Sequence, residues 1–67
     1  MKNDLPSRRS ARELSQGELA EAVGVTRQTI NSIERRRYNP SLELAFKLAS
    51  YFDCQIEDIF RYEEEIA

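Results

Sequence analysis

Apolar and polar residues recur with a helical period through most of this chain, most clearly over residues 16–23. The apolar positions there are three or four residues apart and share one helix face. They are Leu19, Ala20 and Val23. Ser15, followed three residues later by Glu18, is a capping box, which predicts that the helix begins at Gln16. Gly24 can adopt a positive φ and is expected to end it.

A second helix is predicted from Arg27 to about Arg35, with Thr26 as its N-cap. Only Ile30 and Ile33 are apolar within it, and they lie three residues apart on one narrow face. The remaining surface is polar: Arg27, Gln28, Thr29, Asn31, Ser32 and Arg35. A helix with so small an apolar face and so many hydrogen-bonding groups is expected to present its outer face to a polar partner.

Two more helices follow a loop at residues 36–40. Ser41 is expected to cap a helix over residues 42–52, whose polar residues form a single stripe. They are Glu43, Lys47 and Ser50. Because nearly every other residue in it is apolar, we expect this to be the central buried helix. Residues 56–60 form a short last helix, with Glu57 and Asp58 in its first turn, where carboxylates are favourable.

The two ends of the chain carry weaker patterns. Residues 5–13 are compatible with a first helix, in which Pro6 fits only near the first turn. Aromatic and charged residues alternate over residues 60–63, which is a strand pattern. The tail could therefore pair with residues 1–4 in a two-stranded ribbon, which would need packing support. The alternative is an all-α chain without the ribbon.

Length and composition exclude several classes of protein. A chain of 67 residues predicts one domain, over residues 1–67. It contains no His and one Cys, so we expect no internal disulfide, no zinc site and no other metal or cofactor. The neighbouring Glu57 and Asp58 are interpreted as first-turn carboxylates rather than a catalytic pair. An enzyme is the least favoured class.

The expected compartment is the cytoplasm. The chain has no run of about 18 apolar residues that could span a membrane. Its N-terminus lacks the apolar stretch of a secretory signal, so we take the chain as complete from Met1. The lone thiol of Cys54, interpreted as a small buried apolar group, suits a reducing environment.

The net charge of -2 conceals a strong asymmetry. Residues 1–40 hold eight basic and five acidic side chains, a net charge of +3. Residues 41–67 hold two basic and seven acidic side chains, a net charge of -5, and include the run Glu63, Glu64 and Glu65, expected to be a solvated tail. Since a polyanion responds to the local field, the acidic average does not exclude a nucleic-acid partner.

Two short helices joined by a tight glycine turn form a helix-turn-helix, here over residues 15–35. The runs that carry it are LSQGELA (14–20), VGVTRQTI (23–30) and Ile33-Glu34, followed by YNPSLELA (38–45) and IEDIF (56–60). With these residues the chain resembles the Cro and phage-repressor (XRE-like) DNA-binding family. It is most similar to small stand-alone homodimeric repressors of the cytolysin-operon type.

The resemblance implies an all-α, five-helix phage-repressor-like domain, with a small terminal β-ribbon in the stand-alone members. Where the family usually ends its first helix with glycine, this chain has Glu13. Glu34, an acid beside the expected DNA face, matches the family position that pairs with an arginine of the first helix. That arginine is Arg9 in this sequence. We therefore expect a structural salt bridge between Arg9 and Glu34.

In this family the second helix lies in the major groove. Arg27 could donate twice to a guanine and Gln28 could pair with an adenine, while the Thr29 methyl could touch thymine. Gln16 matches the position that holds a phosphate at the helix N-terminus. The full predicted DNA-contacting set is Gln16, Thr26, Arg27, Gln28, Thr29, Asn31, Ser32, Arg36, Arg37, Tyr38 and Asn39. The last four are expected on the DNA backbone.

We expect a homodimer on a double-stranded operator, because two copies contact twofold-related half-sites about 34 Å apart. The dimerisation region is placed at about residues 50–66, with Tyr51 and Ile56 in the interface. The alternative is that all the apolar residues of this region pack internally.

The predicted function is a transcriptional repressor with no small-molecule ligand. An antitoxin-type partner or a protein-interaction module of the same fold is the alternative.

Overall fold

A computed structural model describes residues 1–62 of the protein. Within that range five helices and one two-stranded antiparallel sheet follow each other along the chain. The helices are α1 (Leu5–Ala11), α2 (Gln16–Val23), α3 (Arg27–Glu34), α4 (Leu42–Tyr51) and α5 (Ile56–Ile59). The strands are β1 (Lys2–Asn3) and β2 (Phe60–Arg61). The predicted five-helix fold class with a terminal ribbon is confirmed. No helix in this range is long and apolar enough to cross a membrane.

Three helices begin at the side-chain caps that the sequence predicted. The Ser15 hydroxyl accepts from the Glu18 N–H at 3.0 Å, and the Glu18 carboxylate accepts from the Ser15 N–H at 2.9 Å. The hydroxyls of Thr26 and Ser41 each accept from the backbone N–H three residues later. Each cap satisfies a backbone donor that the helix leaves unpaired. The predicted starts of α2, α3 and α4 are therefore confirmed.

The predicted ends of α1, α3, α4 and α5 were one or two residues too late. The residues that follow the first three form turns, and α5 leads directly into strand β2. The turns after α1, α2, α3 and α4 each contain one residue with left-handed backbone: Glu13 (φ 56°), Gly24 (φ 76°), Arg36 (φ 63°) and Asp53 (φ 54°). In each turn the following N–H donates to the carbonyl five residues earlier, at 2.9 to 3.0 Å. This is the Schellman arrangement, in which glycine is usual. Only one of the four positions holds glycine.

The core is made by one face of each helix together with the start of β2. Its buried side chains are Leu5, Leu19, Ala20, Val23, Ile30, Ile33, Leu44, Ala45, Leu48, Ala49, Phe52, Ile59 and Phe60. Leu14, Val25, Tyr51, Cys54 and Ile56 pack partly buried against this cluster. The prediction that Cys54 is a buried apolar group is therefore wrong in part, because its side chain lies at the margin of the core.

The expectation of a central buried helix is wrong for one face of α4. Leu42 is 71% exposed and Phe46 is 59% exposed, although the opposite side of the helix is buried. The two residues are four apart, so they share a face. Because no element of residues 1–62 covers that face, two large apolar side chains remain in solvent.

The terminal ribbon joins the two ends of the described chain. Lys2 lies opposite Arg61, and Asn3 lies opposite Phe60. The Asp4 carboxylate pairs with Arg61 at 2.9 Å, and the Asp4 N–H donates to the Ile59 carbonyl at 2.8 Å. Packing of Ile59 and Phe60 in the core supplies the support that a two-stranded ribbon needs. Residues 63–67 lie outside the described residues. These include the glutamate run and the end of the predicted strand and dimerisation regions.

Candidate nucleic-acid interface

The placement of α3 follows from its two isoleucines. Ile30 is 0% and Ile33 is 1% exposed, and both pack in the core with α2 residues such as Leu19. Burial of the narrow apolar face leaves the opposite, polar face of α3 at the surface. Gly24 in the left-handed region makes the sharp turn that brings α2 and α3 together.

The first turn of α3 divides its side chains between capping and solvent. The Thr26 hydroxyl accepts from the Thr29 N–H at 3.2 Å and shares a hydrogen bond with the Thr29 hydroxyl at 3.0 Å. Both hydroxyls are therefore already hydrogen-bonded at the N-terminus of α3. Arg27 and Gln28 are exposed, and their hydrogen-bonding groups face outward for a partner.

A shallow open groove of about 390 Å³ runs beside α3 and includes the loop that follows it. Its lining residues are Thr26, Gln28, Thr29, Ser32, Arg37 and Tyr38. The structure thus brings three base-contacting candidates of α3 against two of the backbone-contacting candidates, while Arg27 does not line this groove. A groove that is polar and cationic, with an aromatic ring at its edge, suits a phosphate backbone and base edges.

The loop after α3 is placed by the turn at Arg36. Its left-handed backbone lets the Arg36 N–H donate to the Ile33 carbonyl and the Arg37 N–H donate to the Ser32 carbonyl, both at 3.0 Å. Arg35, Arg36, Arg37, Tyr38 and Asn39 are all exposed. Three consecutive arginines therefore lie at the C-terminal end of α3, where cations are also favoured by the helix dipole.

A polar network connects three helices behind the α3 surface. Arg9 of α1 donates from Nε to Glu34 Oε2 at 2.8 Å and from Nη2 to Glu34 Oε1 at 3.1 Å. Gln16 of α2 donates from Nε2 to Glu34 Oε1 at 3.0 Å and to Asn31 Oδ1 at 3.2 Å. The hydrogen bond to Glu34 raises the pKa of the Arg9 guanidinium above its ordinary value. The negative charge of Glu34 is thus compensated within the protein.

This network changes what Gln16 can offer to a ligand. Its amide carries two N–H donors, and both are used inside the protein. A phosphate at the start of α2 would therefore meet the backbone N–H groups of Gln16 and Gly17 rather than the Gln16 amide nitrogen. Those N–H groups belong to the first turn, where the helix has no carbonyl partner for them.

The two candidate interface residues lie in different surroundings. Ile56 lines an apolar groove of about 510 Å³ between α4 and α5, together with Phe46 and Cys54. Tyr51 lies on the neighbouring side of α4, where its ring meets that of Phe52 edge-on at 5.2 Å. Both are half-buried. The structure does not bring Tyr51 and Ile56 into one groove.

Several functional neighbours had no signal in the sequence. The Asn3 amide donates to the Ile33 carbonyl at 3.0 Å across 30 residues of sequence. Arg12 donates to the Tyr51 carbonyl at 2.9 Å and stacks over the Phe52 ring at 5.0 Å. The sequence did contain a signal for Phe46, because its spacing of four residues from Leu42 places both on one face of α4. That face was predicted to be buried with the rest of the helix. Over residues 1–62, no group of three His, Cys, Asp or Glu side chains is placed to hold a metal ion.

Comparison with known proteins gives consistent results. A family model described as Helix-turn-helix matches residues 7–59. An uncharacterized HTH-type transcriptional regulator of Methanocaldococcus jannaschii is 52% identical over 65 residues, covering 97% of this chain and 98% of that protein. The regulator YgzD of Bacillus subtilis is 48% identical over 65 residues, with the same coverages. The crystal structure of the restriction-modification controller protein C.AhdI from Aeromonas hydrophila has a TM-score of 0.76 and 36% identity, over 84% of this chain and 85% of that one.

Proposed function

The chain belongs to the helix-turn-helix family of transcriptional regulators, and from that premise we propose that it is a homodimeric, sequence-specific repressor acting on operator DNA in the cytoplasm. One observation carries the proposal. The outer face of α3 is polar, exposed at Arg27 and Gln28 and half-buried further along the helix, while Ile30 and Ile33 anchor its inner face at 0% and 1% exposure. A rigid helix with outward hydrogen-bonding groups is what the major groove accommodates.

The proposed reading of bases begins at the N-terminal turn of α3. Arg27 donates two hydrogen bonds to the O6 and N7 atoms of a guanine, and Gln28 pairs with the N6 and N7 atoms of an adenine. The cap formed by Thr26 holds the backbone under both side chains. Each such pair discriminates against a wrong base by about 1–3 kcal/mol. Asn31 and Ser32, one turn further along, contact the next base or a bridging water.

Contacts with the DNA backbone come from both sides of α3 in this proposal. The loop residues Arg36, Arg37, Tyr38 and Asn39 are exposed at its C-terminal end and contact phosphates there. On the other side, the first N–H groups of α2, at Gln16, contact a phosphate of the same half-site. Such contacts set the orientation of the protein on the duplex without adding sequence information. They also make the affinity strongly dependent on salt.

Dimerisation is proposed because one copy of α3 is too short for an operator. Its eight residues span about 12 Å, roughly the length of a few base pairs. Two copies related by a twofold axis contact half-sites about 34 Å apart. The apolar groove with Ile56 and the 59% exposed Phe46 suits the contact between copies, whereas Tyr51 lies outside this groove on the neighbouring side of α4. A dimer bound across a promoter would block transcription.

Selection of binding sites from random-sequence duplex DNA tests this proposal. We expect a palindromic consensus whose two halves are one helical turn apart, with a guanine in each half-site. The matched control is the Arg27→Ala variant, which should lose preference for that base pair while still recovering duplexes. Equal affinity of the wild-type protein for all duplexes would overturn sequence-specific reading. A consensus without internal symmetry would overturn the dimer.

A further inference from the structure

Asn3 is joined to two different helices by its side-chain amide. The Nδ2 group donates to the carbonyl of Ile33 at 3.0 Å, and Oδ1 accepts from the N–H of Leu5 at 3.1 Å. The first partner offers only an acceptor and the second only a donor, so the amide has one orientation that satisfies both. Asn3 therefore connects the start of α1 with the end of α3.

The carbonyl that Asn3 contacts is the one on which the turn after α3 closes. Ile33 O accepts from the Arg36 N–H at 3.0 Å as well as from Asn3, so both of its lone pairs are used. Arg36 has a φ of 63°, a conformation that is costly for a residue with a side chain. The second donor on this oxygen thus supports a turn that the local sequence does not favour.

Asn3 is itself held in place by the terminal ribbon. Its backbone lies opposite Phe60, which is buried in the core. The backbone N–H of the next residue, Asp4, donates to the Ile59 carbonyl at 2.8 Å. The amide of Asn3 therefore extends from a fixed support to the end of α3.

We infer that Asn3 is a positioning residue for the DNA-backbone contacts, acting through the Ile33 carbonyl on the turn that carries Arg36 and Arg37. The inference rests on the proposed function. The opposite end of α3, where Arg27 and Gln28 contact bases, has its own support in the Thr26 cap. Loss of the Asn3 contact should consequently affect phosphate binding and leave base preference intact.

The test compares Asn3→Ser with the wild-type protein on the operator obtained by site selection. Serine can still accept from the Leu5 N–H but is too short to reach Ile33, and it leaves the charge unchanged. We expect the affinity to fall about fivefold, as for loss of one hydrogen bond. The slope of log K against log salt should decrease by about 1, and the base preferences should be retained.

Two controls separate this role from a general loss of stability. Asp4→Asn removes the exposed Asp4–Arg61 ion pair of the same ribbon but leaves Asn3 in place, and it should bind as tightly as wild type. In an Arg37→Ala background, Asn3→Ser should have a smaller effect on affinity than in the wild type, because the contact it supports is already missing.

The outcomes distinguish the inference from the function on which it rests. If the wild-type protein shows no sequence preference, the proposed function fails, and this inference with it. If wild type binds its operator and Asn3→Ser keeps both the affinity and the salt slope while unfolding more easily, Asn3 is only structural and the inference is wrong. An equal effect of Asn3→Ser with and without Arg37 would also overturn it.

Discussion

Arg9 holds Glu34 through two parallel hydrogen bonds, at 2.8 and 3.1 Å, and thereby ties the last residue of α3 to α1. The two side chains are only 19% and 7% exposed. Arg9 also donates from Nη1 to the Leu14 carbonyl at 2.9 Å, so the same guanidinium fixes the loop before α2. One arginine therefore sets the positions of both helices of the helix-turn-helix relative to α1.

Arg9→Ala should lower the free energy of unfolding by about 2–3 kcal/mol, because it leaves a largely buried carboxylate without its main partner. Arg9→Lys should recover part of this loss, since lysine keeps the charge but not the two-pronged geometry. Urea denaturation followed by circular dichroism measures both. The control is Lys47→Ala, which removes an exposed pair with Glu43 at 3.6 Å and should cost less than about 0.5 kcal/mol. Equal losses for Arg9→Ala and Lys47→Ala would contradict the role given to Arg9.

Arg27→Ala and Arg37→Ala should weaken DNA binding in different ways. Arg27→Ala should cost about 1–3 kcal/mol on the preferred operator and little on unrelated DNA, because it removes a contact with a base. Arg37→Ala should weaken binding to the operator and to unrelated DNA about equally, and it should decrease the slope of log K against log salt by about 1. Fluorescence anisotropy titrations at several salt concentrations measure the two effects. If the two variants behaved alike, the division of α3 and its loop into base and backbone contacts would be wrong.

The left-handed turns predict two opposite changes in stability. Gly24→Ala should destabilise the protein by about 1 kcal/mol through its φ of 76° alone, since an added Cβ meets no atom within 4 Å. Glu13→Gly should stabilise it by about 0.5–1 kcal/mol, because φ is 56° at an exposed position where glycine has no steric penalty. Thermal unfolding measures both changes. A loss of stability in Glu13→Gly would show that the flexibility of glycine in the unfolded chain outweighs the relief of strain.

Phe46→Glu should abolish self-association without harming the monomer. Phe46 is 59% exposed, so its replacement removes little from the core, but two glutamates would face each other across a twofold contact. Sedimentation at micromolar concentration should show a dimer for wild type and a single chain for the variant. Ala22→Glu, an equal change of charge at an exposed position on α2, should remain dimeric. A dimer of unchanged strength in Phe46→Glu would exclude the α4–α5 groove as the contact.

Stability should decline in acid partly through Glu18. Hydrogen bonds from Ser15, first from its backbone N–H, lower the pKa of the Glu18 carboxyl below its ordinary value of 4.5. Because the folded state binds this proton less tightly, the contribution to stability is complete above the unfolded pKa and is lost as the pH falls through the folded one. The difference in unfolding free energy between wild type and Glu18→Gln should therefore be largest above the ordinary pKa of 4.5 and should shrink as the pH falls below it. A constant gap would show that the capping box is insensitive to the charge.

The starts of α2, α3 and α4 were predictable because a cap is a local device. Ser15, Thr26 and Ser41 each bond to an N–H three residues later, so the evidence lies within one turn of sequence. The helix ends were less well predicted, since Glu13 and Arg36 adopt left-handed backbone angles that are unusual for residues with a side chain. Those angles are imposed by the packing of the helices on either side.

By itself the sequence determined which segments become helices and which residues of α3 are available to a partner, because helix period and capping act over neighbouring residues. The tertiary structure alone decided that the Asn3 amide donates to the Ile33 carbonyl and that Phe46 lies in solvent. It also decided that the Gln16 amide donates to Glu34 and Asn31. Each of these depends on how separate helices pack. Only the closed core brings residues that are 15, 18 or 30 positions apart to within hydrogen-bond distance.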